Sequence, residues 1–215
     1  AHLIIDTIKI HIDNTSVIEQ SGLLLCSLSE LKEFRALVQD DEILPLLRTI
    51  ASKYAKNNRV MKWIAGFLAN LAESLNWIKK IAMHGLHARI LDSLKEHICE
   101  SDSEGVNLAF HFIKNMSVSP EIVNSLCRMG VVPLLLNGIE KSKYVDVVAY
   151  PGCAALHNIL YHCANPSCSE NTNSEEIIHL GIKVMEMNAE HSFVLTPVVS
   201  LFWILVRFSE HESIL

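Results

Sequence analysis

The stretch that decides the fold is GFLANLAES, residues 66–74, in which good helix formers and apolar residues surround Asn70. The same setting returns in AFHFIKNMS, residues 109–117, around Asn115, and in CAALHNILY, residues 153–161, around Asn158. The three asparagines are 45 and 43 residues apart. Self-similarity at a spacing of this length is the mark of a repeat protein.

Two further segments fit the same frame, with another residue in place of the asparagine. Ser27 is central in LLLCSLSE, and Leu205 is central in LFWILVRF. The five central positions are then 43, 45, 43 and 47 residues apart. In all five segments the residues three before, two before and one after the centre are apolar. This pattern predicts five successive helices that bury the same face.

Glycines mark the repeat a second time. Gly85 lies fifteen residues after Asn70, and Gly130 lies fifteen residues after Asn115. A glycine at a shared offset predicts a helix end in the left-handed conformation, which a residue without Cβ adopts cheaply. Glu42, fifteen residues after Ser27, replaces the glycine in the first unit. Pro45 follows Glu42 and Pro133 follows Gly130, and we expect both close to helix starts, where proline is tolerated.

Helix starts can be read from capping signals. SVIE at 16–19 and SDSE at 101–104 match the capping box. SPE at 119–121 places serine at the cap and proline at the first helical position. NTNSEEII at 171–178 opens a helix with acids in its first turn, where they complement the helix dipole.

Each unit therefore reads as two shorter helices followed by a longer one that carries the asparagine. A lone triplet of helices cannot bury its apolar face, whereas stacked units can, so we expect one continuous repeat domain. The chain starts without Met and in mid-pattern, and we expect it to be a fragment of a longer protein. The predicted helices of the two clearest units are 75–83, 87–99 and 103–117, then 120–128, 132–142 and 150–163. The predicted units are 1–43, 44–86, 87–131, 132–180 and 181–215.

These segments resemble the armadillo-repeat family. GVVPLLL at 130–136 is similar to the opening of the second helix of that repeat. FLANLAE at 67–73 and IKNMSV at 113–118 are similar to its third helix. The resemblance covers nearly the whole chain and implies an all-α fold, an armadillo-like right-handed superhelix of about five stacked repeats.

The resemblance also implies a site. In peptide-binding members of the family the third-helix asparagine faces a concave groove and holds the backbone of the partner, which implicates Asn70, Asn115 and Asn158. A carboxamide can both donate and accept, so it suits a peptide main chain. The alternative is that each asparagine makes a capping or inter-helix hydrogen bond that stabilises the repeat.

Nuclear-import receptors of the family place a tryptophan four residues before that asparagine. The corresponding positions hold Gly66, His111 and Ala154, which disfavours a receptor for nuclear-localisation signals. Trp63 lies one turn further back than Gly66, on roughly the same face. We predict it as a half-exposed groove residue, with a core position as the alternative. The predicted partner-binding residues are Arg59, Trp63, Asn70, His111, Asn115 and Asn158.

The function that follows is a non-enzymatic protein–protein interaction module, a scaffold or adaptor that holds a peptide or helix on its helix-3 surface. The alternative is a substrate-recognition or regulatory subunit of a larger machine, such as a ubiquitin ligase or a GTPase-regulated cytoskeletal protein. No Gly-rich phosphate loop, GxSxG, HExxH or paired-acid motif occurs in the sequence. We therefore expect no enzymatic activity and no cofactor.

Charge and hydropathy argue against nucleic acid and membrane as binding partners. The net charge is −6, and the 18 Lys and Arg are scattered, so we expect no nucleic-acid partner. The longest apolar stretch, 193–206, is shorter than the ~20 residues that cross a bilayer and is interrupted by Thr196, Pro197 and Ser200. We expect a buried helix there and no membrane span.

The six cysteines lack the dense spacing of a disulfide scaffold, which favours reduced thiols and a cytoplasmic protein, with the nucleus as the alternative. A zinc site can be drawn from the cysteines and histidines between Cys153 and Cys168. The spacing of these ligands fits no standard finger, so we expect a helix followed by a polar loop and no metal.

Two features near the C-terminus remain. The polar loop 164–176 inserts about eight residues into the repeat rhythm, and it is either a partner contact or a tolerated surface insertion. The segment VVSLFWILV, residues 198–206, is apolar nearly all round. Terminal repeats usually have a polar outer face, so we expect either further chain beyond Leu215 or a second subunit, as in a homo-oligomer.

Overall fold

The computed structural model is all-α. It describes residues 1–97, 102–142, 145–162 and 174–212, without the side chains of residues 97, 145–146 and 208–212. The described residues form thirteen helices and no strand. In chain order the helices are α1 His2–Ile10, α2 Thr15–Leu28, α3 Lys32–Ala36, α4 Asp40–Lys53, α5 Asn58–Leu71, α6 Leu75–Met83, α7 Leu86–His97, α8 Ser103–Met116, α9 Pro120–Arg128, α10 Val131–Lys141, α11 Val145–His162, α12 Ser174–Met187 and α13 Ser192–Glu212.

The helices of the two clearest units follow the prediction closely. Helices α6 and α9 have the predicted bounds, α8 ends one residue earlier than predicted, and α10 begins and ends one residue earlier than predicted. Helix α11 is the exception, because it begins at Val145 rather than near residue 150. Pro151, whose ring is expected near a helix start, lies inside the helix and is buried. Packing in the core outweighs the backbone hydrogen bond that proline cannot make.

The predicted left-handed glycines are confirmed. Gly85 has φ 67° and Gly130 has φ 74°, and each immediately precedes the first residue of a helix, α7 and α10. The amide of Gly130 donates to the carbonyl of Cys127 at 2.9 Å, which closes the end of α9. Because this backbone region strains residues that carry a Cβ, these two positions favour glycine.

The caps correct one prediction and confirm another. Helix α2 starts at Thr15 with Asn14 as its cap, and the amide of Val17 donates to Asn14 Oδ1 at 3.3 Å. The predicted capping box at 16–19 is therefore wrong, because an equally good capping residue lies two positions earlier. Ser119 is at the cap of α9 with Pro120 at the first helical position, as predicted. Residue 101 of the second predicted box lies outside the described residues.

The chain divides into two compact units, each with an apolar core. The first contains Ala1–His97 and Glu104–Met116, and the second contains the other described residues. In the first unit α2 packs against α5, and Phe67, Phe110 and Phe112 are almost fully buried. In the second unit α11 packs against α13. Burial of each such side chain contributes ~1.5–3 kcal/mol, which makes these long helices the structural base of each unit.

Candidate partner-binding surface

The asparagine of one long helix bonds the preceding long helix in the first unit. Asn70 on α5 donates from Nδ2 to the carbonyl of Cys26 at 3.2 Å and to Ser29 Oγ at 2.8 Å, both at the end of α2. Asn115 on α8 donates from Nδ2 to the carbonyl of Ala69 at 2.8 Å. Cys26 and Ala69 each lie one residue before their own central position, so the two bonds are equivalent.

The second unit contains the same kind of bond. Asn158 on α11 donates from Nδ2 to Ser117 Oγ at 3.3 Å. Ser117 and Ser29 each lie two residues after a central position, and both are fully buried. In the first unit the asparagine thus fixes the register of consecutive long helices, and in the second unit it bonds the serine at the equivalent position.

These bonds establish a structural role for each asparagine. A buried carbonyl or hydroxyl left without its partner costs ~1–3 kcal/mol, so the carboxamides stabilise the ends of the preceding helices. Asn70, Asn115 and Asn158 are nevertheless half-buried rather than buried, so part of each side chain reaches solvent. Contact with a partner remains a prediction for all three.

On each long helix, residues that are one helical turn apart form a line along one face. We define the helix-3 stripe as the residues eleven, seven and four before the central position together with the central residue, which share one helix face. The first-unit stripe consists of Ser16, Gln20, Leu23 and Ser27 on α2, Arg59, Trp63, Gly66 and Asn70 on α5, and Glu104, Leu108, His111 and Asn115 on α8.

Arg59 is the most accessible predicted contact. Its side chain is 78% exposed and lies 3.8 Å from the carboxylate of Glu19, which Asn57 Nδ2 also bonds at 3.1 Å. An exposed ion pair at this distance contributes less than ~1 kcal/mol, so the guanidinium can exchange Glu19 for another acceptor at little cost.

Trp63 is half-buried, as predicted, and is held from two sides. A Cβ added at Gly22 on α2 would lie 3.2 Å from Trp63 Cβ, so the two helices approach closely here. Lys62 Nζ lies 4.6 Å from the centre of the Trp63 ring and 2.8 Å from a carboxylate oxygen of Glu104 on α8. These contacts fix the indole in place while part of it stays accessible.

Gly66 lies at the stripe position where the resemblance would place a tryptophan in an import receptor. It is buried, and an added Cβ would lie 2.5 Å from Cys26 Sγ and 3.2 Å from a Leu108 side-chain carbon. This position has no room for any larger side chain. The close contact between α2 and α5 depends on the missing side chain.

His111 is half-buried on α8, one turn before Asn115. Burial and, to a smaller extent, the positive charge of Lys114 together lower its pKa to about 4. The imidazole is therefore neutral at pH 7. It offers one N–H donor and one acceptor rather than a positive charge.

Burial along α13 corrects the frame that takes Leu205 as central. In that frame Trp203 corresponds to Leu25, Leu68, Ile113 and Leu156, which are at most 2% exposed, yet Trp203 is 54% exposed. Taking Glu210 as central, 52 residues after Asn158, aligns buried Leu201 and Ile204 with buried Met61 and Ile64, while it places exposed Arg207 in the column of buried Phe67. The insertion at 164–176 lengthens this repeat, which is the physical reason for the shift.

The corrected frame adds stripe residues that the sequence analysis missed. The second-unit stripe consists of Val147, Pro151, Ala154 and Asn158 on α11 and of Val199, Trp203 and Val206 on α13. Trp203 thus takes the position that Trp63 has on α5. The signal was present in the sequence, since adding the eight inserted residues to the usual spacing of about 44 leads to residue 210.

The cysteines and histidines of α11 are separate rather than clustered. Cys153 is buried, and burial raises the pKa of its thiol to about 12. The rings of His157 and Tyr161 stack with centroids 6.2 Å apart. Cys163, Cys168 and residues 164–173 of the polar loop lie outside the described residues. Among the side chains that the structure describes, no three His, Cys, Asp or Glu lie close enough to hold a metal ion.

The hydropathy of the helices was tested for membrane spans. In the described part of the chain no single helix has the length and apolar character needed to cross a bilayer. Helices α9 and α10 meet that criterion only as a pair, and they are bent by 75° at the break between them.

Comparison with known proteins places the chain by fold. No family model and no curated protein matches it. It is similar to a crystal structure of an engineered protein from the Northeast Structural Genomics Consortium, with a TM-score of 0.71 and 15% identity over 94% of this chain and 77% of that one. A second engineered protein from the same consortium matches with a TM-score of 0.63 and 14% identity over 94% and 96% of the two chains. The chain therefore has an all-α, repeat-like architecture of a kind already seen in solved structures.

Proposed function

We propose that this chain is a non-enzymatic protein–protein interaction module of the cytoplasm, a scaffold or adaptor that binds a peptide or helix of another protein. The proposal includes the finer fold, an armadillo-like right-handed superhelix of about five repeats. The observation that carries it is the first-unit stripe, where Arg59, Trp63 and Asn70 on α5 lie beside His111 and Asn115 on the next long helix.

The chemistry of this stripe suits recognition of a partner. Tryptophan and arginine are enriched among the residues that contribute most to binding, particularly where less important contacts exclude water around them. Trp63 is held by Lys62 and Gly22 before any partner arrives. A side chain that is already ordered loses little conformational entropy on binding, which favours affinity.

The asparagines can serve both the fold and a partner. The Nδ2 of Asn115 is directed at the carbonyl of Ala69, and this bond fixes the orientation of the carboxamide. A carbonyl oxygen has two lone pairs, so Oδ1 of the oriented amide can accept an N–H of an extended peptide. The structural bond thus supports the proposed contact by positioning the acceptor.

Affinity capture with the whole chain tests the proposal. The bait is compared with Arg59→Ala, Trp63→Ala and Asn115→Ala, and captured proteins are identified by mass spectrometry. Met83→Ala is the matched control, because Met83 is 84% exposed and lies on α6, which contributes no residue to the stripe. We expect at least one partner that Met83→Ala retains and that Trp63→Ala and Arg59→Ala reduce tenfold or more.

Arg59→Ala separates binding from stability. Its exposed side chain makes a weak ion pair, so its removal leaves unfolding unchanged, whereas Asn115→Ala removes a bond to a buried carbonyl. Thermal unfolding of each bait, followed by circular dichroism, identifies any variant that loses partners through unfolding. If Arg59→Ala and Trp63→Ala both stay folded and retain every partner, the first-unit stripe is not the binding surface.

A further inference from the structure

Two ion pairs with opposite order of charge join the long helices of the first unit. Glu19 on α2, eight residues before its central position, lies 3.8 Å from Arg59 on α5, eleven before its own. Lys62 on α5 and Glu104 on α8 repeat this register at 2.8 Å with the signs reversed. We define these four residues as the charge ladder. The repeat thus sets an inner charge of one helix against an outer charge of the next.

Exposure separates the two members of each pair. The inner side chains, Glu19 and Lys62, are 18% and 12% exposed, whereas the outer ones, Arg59 and Glu104, are 78% and 59% exposed. A partner therefore meets one positive charge on α5 and one negative charge on α8. Helices α2, α5 and α8 together contain five Asp, Glu, Lys or Arg residues, and four of them form the ladder.

Stacking of repeats does not remove this surface. Helix α5 already has a long helix on each side, since Asn70 joins it to α2 and Asn115 joins α8 to it. Arg59 and Glu104 stay exposed beside these neighbours. The outer charges therefore belong to a face that remains open within the array.

Both outer groups can bind a second partner. A guanidinium carries several N–H donors, and a carboxylate has lone pairs on both oxygens. The 3.8 Å between Arg59 and Glu19 exceeds the length of a good hydrogen bond, about 2.7–3.2 Å. The bond from Lys62 uses one oxygen of Glu104, Oε2. Each outer charge can therefore accept an opposite charge from a partner while its inner neighbour holds it in place.

We propose that the first-unit stripe binds an extended segment of a partner protein that carries both charges, with an Asp or Glu opposite Arg59, a Lys or Arg opposite Glu104 and an apolar side chain on Trp63. Packed helices lie about 8–10 Å apart, which an extended chain spans in about three residues. A segment of one charge would meet a like charge at one of the two positions, which disfavours it. This inference rests on the proposed function and specifies the charge order of the partner.

Selection from a displayed library of short peptides on the whole chain tests this charge order. A fixed leucine in each peptide is flanked on both sides by positions that vary among Glu, Lys and Ser. We expect peptides with Glu on one side and Lys on the other to be enriched several-fold over peptides with two like charges. Trp63→Ala should weaken the selected peptides tenfold or more. The preference should decrease as salt screens the exposed charges.

Exchanging the two members of a pair reverses an outer charge and keeps an ion pair within the chain. In Glu19→Arg with Arg59→Glu, the preferred residue at one peptide position should change from Glu to Lys. In Lys62→Glu with Glu104→Lys, the preferred residue at the other position should change from Lys to Glu. Arg59→Ala alone should abolish the preference at its position. Circular dichroism confirms that each variant is folded.

The matched control exchanges an ion pair away from the stripe. Lys9→Glu with Glu42→Lys reverses a 2.6 Å pair between α1 and α4 and should leave the charge order of the peptides unchanged. Enrichment of like-charged peptides, or exchanged variants that keep the original preference, would overturn the inference. Peptides that depend on Trp63 but show no charge order would overturn this inference alone. Selection that yields no peptide dependent on Trp63 would contradict the proposed function as well.

Discussion

The two units use the same repeat position in opposite ways. In the first unit the stripe is mainly polar, and its groups connect helices, as Glu104 does with Lys62 and Asn115 does with Ala69. In the second unit the stripe is mainly apolar, and Val199, Trp203 and Val206 stay more than half exposed. The same repeat positions therefore have different roles. In the first unit the stripe residues join helices, and in the second unit they form an exposed row of apolar side chains.

The comparison also shows how the repeat tolerates change. Two tryptophans occupy the stripe position seven before the centre, Trp63 on α5 and Trp203 on α13, and each has a cation over its ring. Trp63 is half-buried beside Gly22 of α2, whereas Trp203 is exposed. The repeat therefore determines the position of a side chain on its helix, and the neighbouring helices determine how far that side chain is buried.

The largest expected effect is the difference in stability between truncating a core residue and truncating a stripe residue. Leu68→Ala truncates a fully buried side chain and should lower the free energy of unfolding by about 2–5 kcal/mol. Trp203→Ala truncates a side chain that is 54% exposed and should cost less than about 1 kcal/mol. Urea unfolding of both variants measures the difference. Equal losses would mean that Trp203 is a core residue, as the frame centred on Leu205 implies, and would break the comparison.

Gly66→Ala should have the next largest effect. The new Cβ would lie 2.5 Å from Cys26 Sγ, so the Cys26 side chain or a helix must shift, at a cost of about 1–3 kcal/mol. The matched double variant with Cys26→Ala removes the sulfur and should restore much of the loss. Chemical unfolding of the two single variants and the double variant measures the coupling. Additive losses would contradict the proposed contact between α2 and α5.

Asn70→Ala should cost about 1–2 kcal/mol, because Ser29 is buried and loses one of its hydrogen bonds. Gln20→Ala changes an exposed stripe residue on α2 and serves as the control. A double-mutant cycle with Ser29→Ala isolates the bond between the two side chains, and we expect a coupling of about 0.5–1.5 kcal/mol. A coupling energy of zero would contradict a stabilising hydrogen bond between Asn70 and Ser29.

The smallest expected effect is a pH dependence of stability caused by His111 in the first unit. The folded-state pKa of His111 is lowered to about 4, below the ~6.5 of an unfolded histidine. Its stabilising contribution is therefore complete above pH 6.5 and is lost as pH falls towards 4. Because the side chain is half-buried, we expect about 1 kcal/mol rather than the full linkage value. His111→Gln should flatten the decline between pH 6.5 and 5 in urea unfolding, and an unchanged slope would exclude His111 as its source.

Local chemistry made much of the fold predictable. The left-handed conformations of Gly85 and Gly130, the cap at Ser119 and the bounds of α6 and α9 all follow from residues close in sequence. The early start of α11 does not, because core packing holds Pro151 inside a helix against its local preference. The cap of α2 was misplaced for a simpler reason, since both Asn14 and Ser16 are good caps.

The site was less predictable than the fold. Sequence left two roles open for the asparagines, and the structure assigns them inter-helix hydrogen bonds, while contact with a partner stays a prediction. Trp203 was missed because the insertion at 164–176 displaced the last repeat from its usual spacing. A fixed repeat spacing predicts the wrong positions after an insertion. The burial of side chains along the helix then shows which residues face the core.

Site-specific photo-crosslinking to a captured partner tests the central claim most directly. A photoreactive phenylalanine analogue is placed at Arg59 in the first-unit stripe, at Val199 in the second-unit stripe and at Met83 on α6, three exposed positions. The account predicts crosslinks to the partner from position 59, from position 199 or from both, and none from position 83. Crosslinks from position 83 alone would contradict it, because the partner would then bind away from the long helices.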